Sequence, residues 1–188
     1  LIAGAFFKGG RLAYFGAGTS GRLGVLDATE CMPTFSVPDT MVQAFIAGGN
    51  AALRHAVENA EDSRKRALAD INAFSPLPED VVVGISASGN PAYVLTVLEK
   101  ARCRGANTVG ITCNPEAKLK PLCDVCITAP VGPEVIAGSS RMKAGTAQKM
   151  ILNMLSTASM IKIGKTYGNY MIDVTPACAK LIDRGNRI

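Results

Sequence analysis

Short apolar runs alternate with longer amphipathic stretches along most of this chain. The apolar runs cover residues 11–15, 41–47, 81–85, 108–113 and 125–128, and their β-branched and aromatic side chains favour strands. In the stretches between them, apolar positions recur every three or four residues, which indicates helices. This alternation predicts an α/β fold with a parallel sheet, because parallel strands need a helical crossover connection.

Six helices are expected around these strands, at residues 1–7, 20–30, 51–60, 63–73, 91–104 and 140–165. Ser63 is a suitable N-cap for the fourth helix, and Pro33 is expected to limit the second. The run 81–85 is almost entirely β-branched, which predicts a central strand buried on both faces. The last helix is long and apolar enough to lie in a core or at a subunit interface.

Composition and charge narrow the function classes. The chain has 188 residues, 48% hydrophobic and 19% charged, which suits one medium-sized domain with a substantial core. Its net charge of +5 is dispersed, without the basic clusters and interleaved aromatic residues of nucleic-acid-binding proteins. Plain surface charge and attraction of anionic substrates both remain open. No apolar run is as long as a membrane span and no signal peptide is evident, so we expect a cytoplasmic location.

The six cysteines do not form an obvious disulfide set. Cys31, Cys103, Cys113 and Cys123 lie in or beside apolar segments, which predicts small buried side chains in a reducing compartment. Cys123 and Cys126 have the CxxC spacing of some metal sites, but they lack a second pair and a nearby histidine. We therefore expect neither a metal nor another cofactor.

Two loops rich in glycine and serine follow predicted strands. Residues 16–22 (GAGTSGR) follow the first strand, and residues 86–90 (SASGN) follow the third. Each loop leads into a helix, where free backbone N–H groups and the positive end of the helix dipole favour an anion. Either loop alone could be a structural turn. Two of them at the carboxyl edge of one parallel sheet favour ligand binding.

The ligand is better explained as a terminal phosphate than as a dinucleotide. The first loop has GxGxxG spacing, but no acidic residue ends the next strand, and no Lys-Ser or Lys-Thr pair follows the glycines. Its hydroxyl groups are suited to the oxygens of a terminal phosphate. The candidate substrate-binding residues of the two loops are Gly18, Thr19, Ser20, Gly21, Arg22, Ser86, Ser88, Gly89 and Asn90.

Two glutamates could supply proton chemistry beside these loops. Glu30 is expected near the carboxyl end of a helix, where negative charge is unfavourable, so its position invites a functional explanation. Glu61 is expected near the start of a helix, where charge compensation is an equally good explanation. An acid and a base beside a phosphate cradle can move protons on a sugar phosphate. Glu134 and residues 139–143 could close such a site, or they could be only a loop and a helix cap.

Several longer motifs resemble those of the bacterial N-acetylmuramic acid 6-phosphate etherases, a branch of the sugar isomerase (SIS) fold. They are residues 16–24, 26–30, 46–49, 54–57, 60–63, 80–84, 138–149 and 152–156. The resemblance covers essentially the whole chain and implies a SIS-type three-layer sandwich, with a central five-stranded parallel sheet flanked by helices. The same features are similar to glucokinase regulatory protein, a non-catalytic relative that senses fructose phosphates.

The resemblance also implies a reaction. In etherases of this kind, two glutamates that match Glu30 and Glu61 cleave the D-lactyl ether at C3 of the sugar. Elimination followed by addition of water gives D-lactate and N-acetylglucosamine 6-phosphate. A base removes the C2 proton of the opened sugar, and an acid protonates the departing oxygen. On this basis we expect Glu61 to be the base and Glu30 to be the acid.

Further expectations come from the same resemblance. Residues 1–188 would form a single SIS domain without the family's N-terminal helical extension and C-terminal helical domain. The partners would be a sugar phosphate and a second subunit, with the site near the dimer interface and no nucleic acid or membrane involved. Asn90-Pro91-Ala92 stands where the family usually has Arg-Thr-Pro, which affects substrate preference. The alternative functions are a sugar-phosphate-sensing regulatory module and an aldose–ketose isomerase.

Overall fold

A computed structural model describes residues 1–173, 182, 183 and 185. The remainder of the expected domain, including residues 174–181, lies outside the described residues. Five strands form one parallel sheet in the order β2-β1-β3-β4-β5, which confirms the predicted fold class. These strands are β1 (Leu12–Gly16), β2 (Val42–Ile46), β3 (Val81–Ile85), β4 (Asn107–Thr112) and β5 (Val125–Thr128). A small antiparallel pair, β6 (Thr166–Tyr167) and β7 (Tyr170–Met171), follows the last long helix.

Helices cover both faces of the sheet. They are α1 (Ile2–Phe7), α2 (Gly18–Phe35), α3 (Ala51–Arg54), α4 (Arg64–Phe74), α5 (Ala92–Cys103) and α6 (Lys143–Lys162), with a 3₁₀ turn at Lys120–Leu122. Apolar residues of α1, α2 and α6 form one core cluster with the sheet, and those of α4 and α5 form another. The result is the three-layer arrangement that the sequence predicts.

The strand β1 shows how the sequence builds these two cores. Leu12 and Tyr14 belong to the cluster under α1, α2 and α6, whereas Ala13 and Phe15 belong to the cluster under α4 and α5. Successive side chains of a strand point to opposite faces, so a continuous apolar run feeds both layers. Every residue of β3 is buried and β3 is the middle strand, as the β-branched run predicts.

The helix α2 is longer than the sequence indicates, because it continues through Pro33 to Phe35. Pro33 cannot donate a hydrogen bond to the carbonyl of Thr29, but both residues are exposed, so water can hydrate that carbonyl. Phe35 is only 7% exposed and packs in the core, which holds the last turn in place. Tertiary packing thus outweighs the local effect of the proline.

The helix expected over residues 51–60 ends at Arg54 instead. His55 is extended, and Asn59 has a φ of 55°, in the left-handed region. Residues 55–62 therefore form a loop before α4. Ser63 caps that helix as predicted, and its Oγ accepts the Arg66 N–H at 3.3 Å.

The described cysteines follow the predicted burial only in part. Cys31 is 3% exposed, and burial raises the pKa of its thiol to about 12. Cys113 and Cys123 are half-buried, but Cys103 is exposed, contrary to the prediction. Cys103 comes two residues after the buried Ala101, so it projects from the opposite side of α5.

Within the part of the chain that the structure describes, no helix is both long and apolar enough to cross a membrane.

Candidate functional site

The carboxyl ends of β1 and β3 open into a cavity of about 330 Å³, which we call the loop cavity. Its lining comprises residues 17–20, residues 85–88, Pro91, Glu61, Gly138 and Ser140. The structure therefore brings together both predicted loops and one of the two predicted glutamates. The third contribution comes from the segment that precedes α6.

The loop cavity is suited to an anion. The helices α2 and α5 both begin at it, and their N-cap residues, Ala17 and Pro91, make no side-chain cap hydrogen bond. The first N–H groups of such helices need an acceptor, and the helix dipole favours one that is negatively charged. No basic side chain is among the described residues that line the cavity. The groups that the cavity offers to an anion are therefore backbone N–H groups and hydroxyls.

The first loop is packed tightly against its surroundings. A Cβ added to Gly21 would lie 2.7 Å from the carbonyl oxygen of Gly16 and 2.6 Å from Cγ1 of Ile46. Glycine thus lets α2 start close to the sheet, which is a packing role. Ser20 is 8% exposed, and its Oγ donates to Oε1 of Gln148 at 2.8 Å. The other lining residues of this loop, Gly18 and Thr19, are more exposed than Ser20.

Arg22 lies beside the loop cavity and does not line it. Its Nε donates to the carbonyl oxygen of Leu53, and its Nη2 donates to that of His55, both at 3.2 Å. Arg22 contributes instead to a neighbouring cavity of about 230 Å³, which shares Gly18 and Glu61 with the first. The guanidinium group therefore fixes the start of the loop that carries Glu61.

Hydrogen bonds within the second loop define its shape. The Oγ of Ser86 accepts the N–H of Gly89 at 3.0 Å, and the Oγ of Ser88 accepts the N–H of Asn90 at 3.3 Å. Gly89 has a φ of 71°, and a Cβ on it would lie 2.3 Å from the Cβ of Ala117. Both serine oxygens act as acceptors, so at least one of their hydroxyl hydrogens can be donated to a ligand.

Two asparagines fasten this loop to the segment after β4. The Oδ1 of Asn90 accepts the N–H of Lys118 at 3.2 Å, and Nδ2 of Asn114 donates to the carbonyl oxygen of Ser88 at 3.1 Å. The sequence predicts that Asn90 binds the ligand, and it does not single out Asn114 as a site residue. The Asn-Pro pair at 114–115 was the available signal, because asparagine after a strand is typical of an Asx turn. Indeed Oδ1 of Asn114 accepts the N–H of Glu116 at 2.9 Å.

Glu61 reaches the loop cavity through the path of its backbone. Its carbonyl oxygen accepts the N–H of Tyr93 at 2.9 Å, in the first turn of α5. The loop 55–62 is therefore held by Arg22 at one end and by α5 at the other. Glu61 is exposed and lines both neighbouring cavities, between the two serine-rich loops.

Glu30 lies elsewhere in the same chain. It is exposed on α2, twelve residues after Gly18, and it does not line the loop cavity. A rise of about 1.5 Å per residue separates the two positions by about 18 Å along the helix axis. One copy of the chain thus brings Glu61, and not Glu30, to the predicted phosphate loops.

Glu134 caps α6, and the loop that it fixes forms part of the cavity wall. Its carboxylate accepts the N–H groups of Lys143 and Ala144, each at 3.0 Å. These hydrogen bonds lower the pKa of Glu134. Gly138 and Ser140, between Glu134 and the helix, line the loop cavity. The segment is therefore a loop with a helix cap and also part of the cavity wall, which combines the two alternatives that the sequence leaves open.

Across residues 1–173, 182, 183 and 185, no group of three or more His, Cys, Asp and Glu side chains is arranged to hold a metal ion.

Comparison with known proteins adds two family matches. The model of the SIS domain matches residues 53–158, and the model of the glucokinase regulatory protein N-terminal SIS domain matches residues 2–102. Each match covers more than half of the chain, and together they include both serine-rich loops and Glu61.

Among curated proteins, the similarity extends over nearly the whole sequence. The N-acetylmuramic acid 6-phosphate etherase of Edwardsiella ictaluri is 57% identical over 187 residues, which covers 100% of this chain and 62% of that protein. The protein of the same name from a Jannaschia species is 56% identical over 183 residues, covering 97% of this chain and 58% of its own length. This chain therefore spans about three fifths of these relatives.

Among solved structures, a phosphoheptose isomerase from Francisella tularensis has the same fold. It superposes with a TM-score of 0.62 over 88% of this chain and 82% of its own, at 16% sequence identity. The parallel sheet, the two family models and the similarity over nearly all of this chain agree with one another. The chain belongs to the SIS domain family.

Proposed function

We propose that the loop cavity is the catalytic centre of an N-acetylmuramic acid 6-phosphate etherase. The observation that carries the proposal is the meeting of both serine-rich loops and Glu61 at one cavity without basic side chains among its described lining residues. Relatives that bear this name are 56% and 57% identical to the chain over nearly all of its length. The proposed enzyme is a carbon–oxygen lyase.

In this proposal the two loops hold the phosphate of the substrate. The uncapped first turns of α2 and α5 supply N–H groups and the positive ends of two helix dipoles. Thr19, Ser86 and Ser88 add hydroxyl donors. The sugar then extends from its phosphate towards Glu61, which lies between the loops.

Glu61 is proposed to start the reaction at C2 of the opened sugar. The aldehyde at C1 makes the C2 proton acidic, and the Glu61 carboxylate removes it. The electron pair of that C–H bond forms a C2–C3 double bond while the C3–O bond breaks. Glu30 donates a proton to the departing lactate oxygen. Water then adds at C3, C2 is reprotonated, and the products are D-lactate and N-acetylglucosamine 6-phosphate.

We propose that a second copy of the chain supplies Glu30. Its exposed position about 18 Å along α2 from the first loop supports this. We therefore propose a homodimer in which Glu30 of each copy faces the cavity of the other. A two-fold symmetric pair would build two identical sites of this kind. We also place the enzyme in the cytoplasm, because a phosphorylated sugar carries charge that keeps it from crossing a membrane.

Mixing two inactive variants tests this shared site. Glu30→Gln and Glu61→Gln chains each fail alone, but a mixed dimer has one site with both glutamates intact. Random exchange of subunits makes half of the dimers mixed, so about a quarter of the wild-type activity should return. If both glutamates act from the same chain, the mixture remains as inactive as either variant.

The activity itself is tested by proton NMR of N-acetylmuramic acid 6-phosphate with the protein in D₂O. Free lactate together with deuterium at C2 of the sugar is the expected result, because elimination exchanges that proton with solvent. Lactate without deuterium would contradict the elimination course. An unchanged spectrum would contradict the proposed activity of this chain.

A sensing module is the second candidate, favoured by one observation. The glucokinase regulatory protein model matches residues 2–102, which include the first loop, Glu30 and Glu61. A sensor would bind the sugar phosphate at the same cavity without consuming it and would change the activity of a protein partner. Lactate release distinguishes the two, since a module that only senses produces none.

A further inference from the structure

A buried glutamine stands directly behind the first loop. Gln148 is on α6 with 1% of its surface exposed, and its Oε1 accepts the hydroxyl of Ser20 at 2.8 Å. The other amide atom, Nε2, has no hydrogen-bond partner among the described residues. An unpaired buried N–H is costly, so a side chain that keeps one invites an explanation.

The packing of α6 against α2 fixes Gln148 in this place. One turn earlier on α6, a Cβ on Gly145 would lie 3.3 Å from Cγ2 of Thr19, so the helix backbone runs close to the loop. On the other side, the buried carboxylate of Asp27 accepts from Asn153 at 2.6 Å and from Ser156 at 2.9 Å. The Gln148 amide therefore has little freedom except rotation about its last side-chain bond.

That rotation decides what the Ser20 hydroxyl can do. In the orientation of the structure, the single proton of Ser20 is donated to Gln148 and is unavailable to a ligand. After half a turn of the amide, Nε2 takes the place of Oε1 and donates to the Ser20 oxygen. The serine proton is then free. Each orientation leaves one amide atom unpaired within the protein, so neither is strongly favoured by internal hydrogen bonds.

We propose that Gln148 is a positioning residue whose side-chain amide rotates by half a turn when a phosphate enters the loop cavity. The Ser20 hydroxyl then donates its hydrogen bond to the phosphate. This rests on the proposed function, in which the first loop holds the phosphate of a sugar. Only a side chain with a donor and an acceptor at its tip can serve both states. A carboxylate at this position can only accept, and it would keep the proton of Ser20 away from the ligand.

Calorimetric binding of N-acetylglucosamine 6-phosphate at alkaline pH tests the proposal. Gln148→Leu removes the amide, whereas an ionised Gln148→Glu variant keeps only acceptors. We expect the glutamate variant to bind the sugar phosphate about tenfold more weakly than the leucine variant, because its carboxylate accepts the hydrogen bond that the Ser20 hydroxyl would otherwise donate to the phosphate. In a Ser20→Ala background the two should bind equally.

Two results would overturn the proposal while leaving the proposed function intact. One is equal binding by the two Gln148 variants when Ser20 is present. The other is a glutamate penalty that persists in the Ser20→Ala background, because that would be simple repulsion of the phosphate. Failure of the wild-type chain to bind this sugar phosphate would instead refute the proposed function and, with it, the role of Gln148.

A second measurement makes its main observation on the wild-type chain. In the ¹⁵N-labelled wild-type chain, the side-chain amide protons of Gln148 should shift downfield on titration with the sugar phosphate, because Nε2 gains an acceptor. Ser20→Ala should abolish the shift. A Gln148 signal that does not move during saturation would contradict the reversal.

Discussion

The two ends of the parallel sheet are built from the same strands and differ in how their polar groups are satisfied. At the amino end, Arg11 precedes β1 and Asp80 precedes β3. The carboxylate of Asp80 accepts the backbone N–H of Arg11 at 2.7 Å and that of Leu77 at 2.9 Å, besides the guanidinium group. Nη1 of Arg11 donates to the carbonyl oxygen of Phe74 at 3.2 Å, and Nη2, which also pairs with Asp80, donates to that of Ser75 at 3.1 Å. The guanidinium lies 4.2 Å from the centre of the Phe74 ring.

At the carboxyl end, polar groups beside the loop cavity lack such internal partners among the described residues and are available to a ligand. Two helices begin there without side-chain caps, and Glu61 is exposed between two serine-rich loops. Uncapped helix N-termini beside a concave, polar cavity are suited to an anionic ligand. We therefore expect the amino end to contribute mainly stability and the carboxyl end to contribute mainly binding and chemistry. Substitutions at the two ends should therefore fail in different assays.

Glu61→Gln should have the largest effect, and only on activity. Loss of the base should lower lactate release by about 10²–10⁴-fold and remove deuterium exchange at C2. The free energy of unfolding should stay within about 0.5 kcal/mol of wild type, because the side chain is exposed. Glu58→Gln is the matched control, since Glu58 is an exposed neighbour that lines only the second cavity. Equal loss in both variants would contradict the assignment of Glu61.

Asp80→Ala should do the opposite at the amino end. It removes the acceptor of the Arg11 and Leu77 backbone N–H groups and the carboxylate partner of the Arg11 guanidinium, which should cost about 2–3 kcal/mol in urea denaturation. The estimate is kept below that for fully buried pairs because 28% of the Arg11 side chain is exposed. Activity per folded molecule should be unchanged. Asp62→Ala, at an exposed acid, is the control, and an equal loss there would contradict the special position of Asp80.

The pH dependence of stability sharpens the same contrast. Burial acts to raise the pKa of Asp80, but hydrogen bonds from Arg11 and Leu77 outweigh it and hold the pKa below its ordinary value of 3.8. A lowered pKa means that the contribution is complete above that ordinary value and is lost as the pH falls through the folded-state pKa. The unfolding free energy of the wild type should therefore drop in this acid range more steeply than that of Asp80→Asn. Parallel curves would contradict the linkage.

The sheet and its two loops could be predicted because their signals are local. Strand β3 is a run of β-branched residues, and both loops announce themselves by glycine and serine directly after apolar segments. The end of α2 could not be predicted from Pro33, because the burial of Phe35 is a property of the folded core. The sequence predicts elements that depend on local residue types, but it does not predict where tertiary packing outweighs a local preference.

The candidate site shows the same division. Glu30 and Glu61 are both candidates from the sequence, and only the folded path of residues 55–62 brings Glu61 to the cavity. Arg22 belongs to the phosphate-loop motif, yet its guanidinium turns to two backbone carbonyls. The pairing of Ser20 with Gln148 spans 128 residues, so no local pattern could announce it. These placements depend on contacts that are distant along the chain.

The smallest predicted effect distinguishes, at the carboxyl end itself, a hydroxyl that binds the phosphate from one that also holds the shape of the second loop. Ser88→Ala removes one hydroxyl that can donate to the phosphate and should weaken the binding of N-acetylglucosamine 6-phosphate by about 0.5–3 kcal/mol, the range from an ordinary hydrogen bond to one with a charged group. Stability should change little, since Ser88 is exposed and its Oγ makes only long hydrogen bonds, at 3.3 Å to the Asn90 N–H and 3.4 Å to the Oγ of Ser86. Ser86→Ala is the informative partner, because Ser86 is buried and its Oγ holds the Gly89 N–H. That variant should lose both affinity and stability. If Ser88→Ala binds as tightly as wild type in calorimetry, the second loop shapes the cavity without contacting the phosphate.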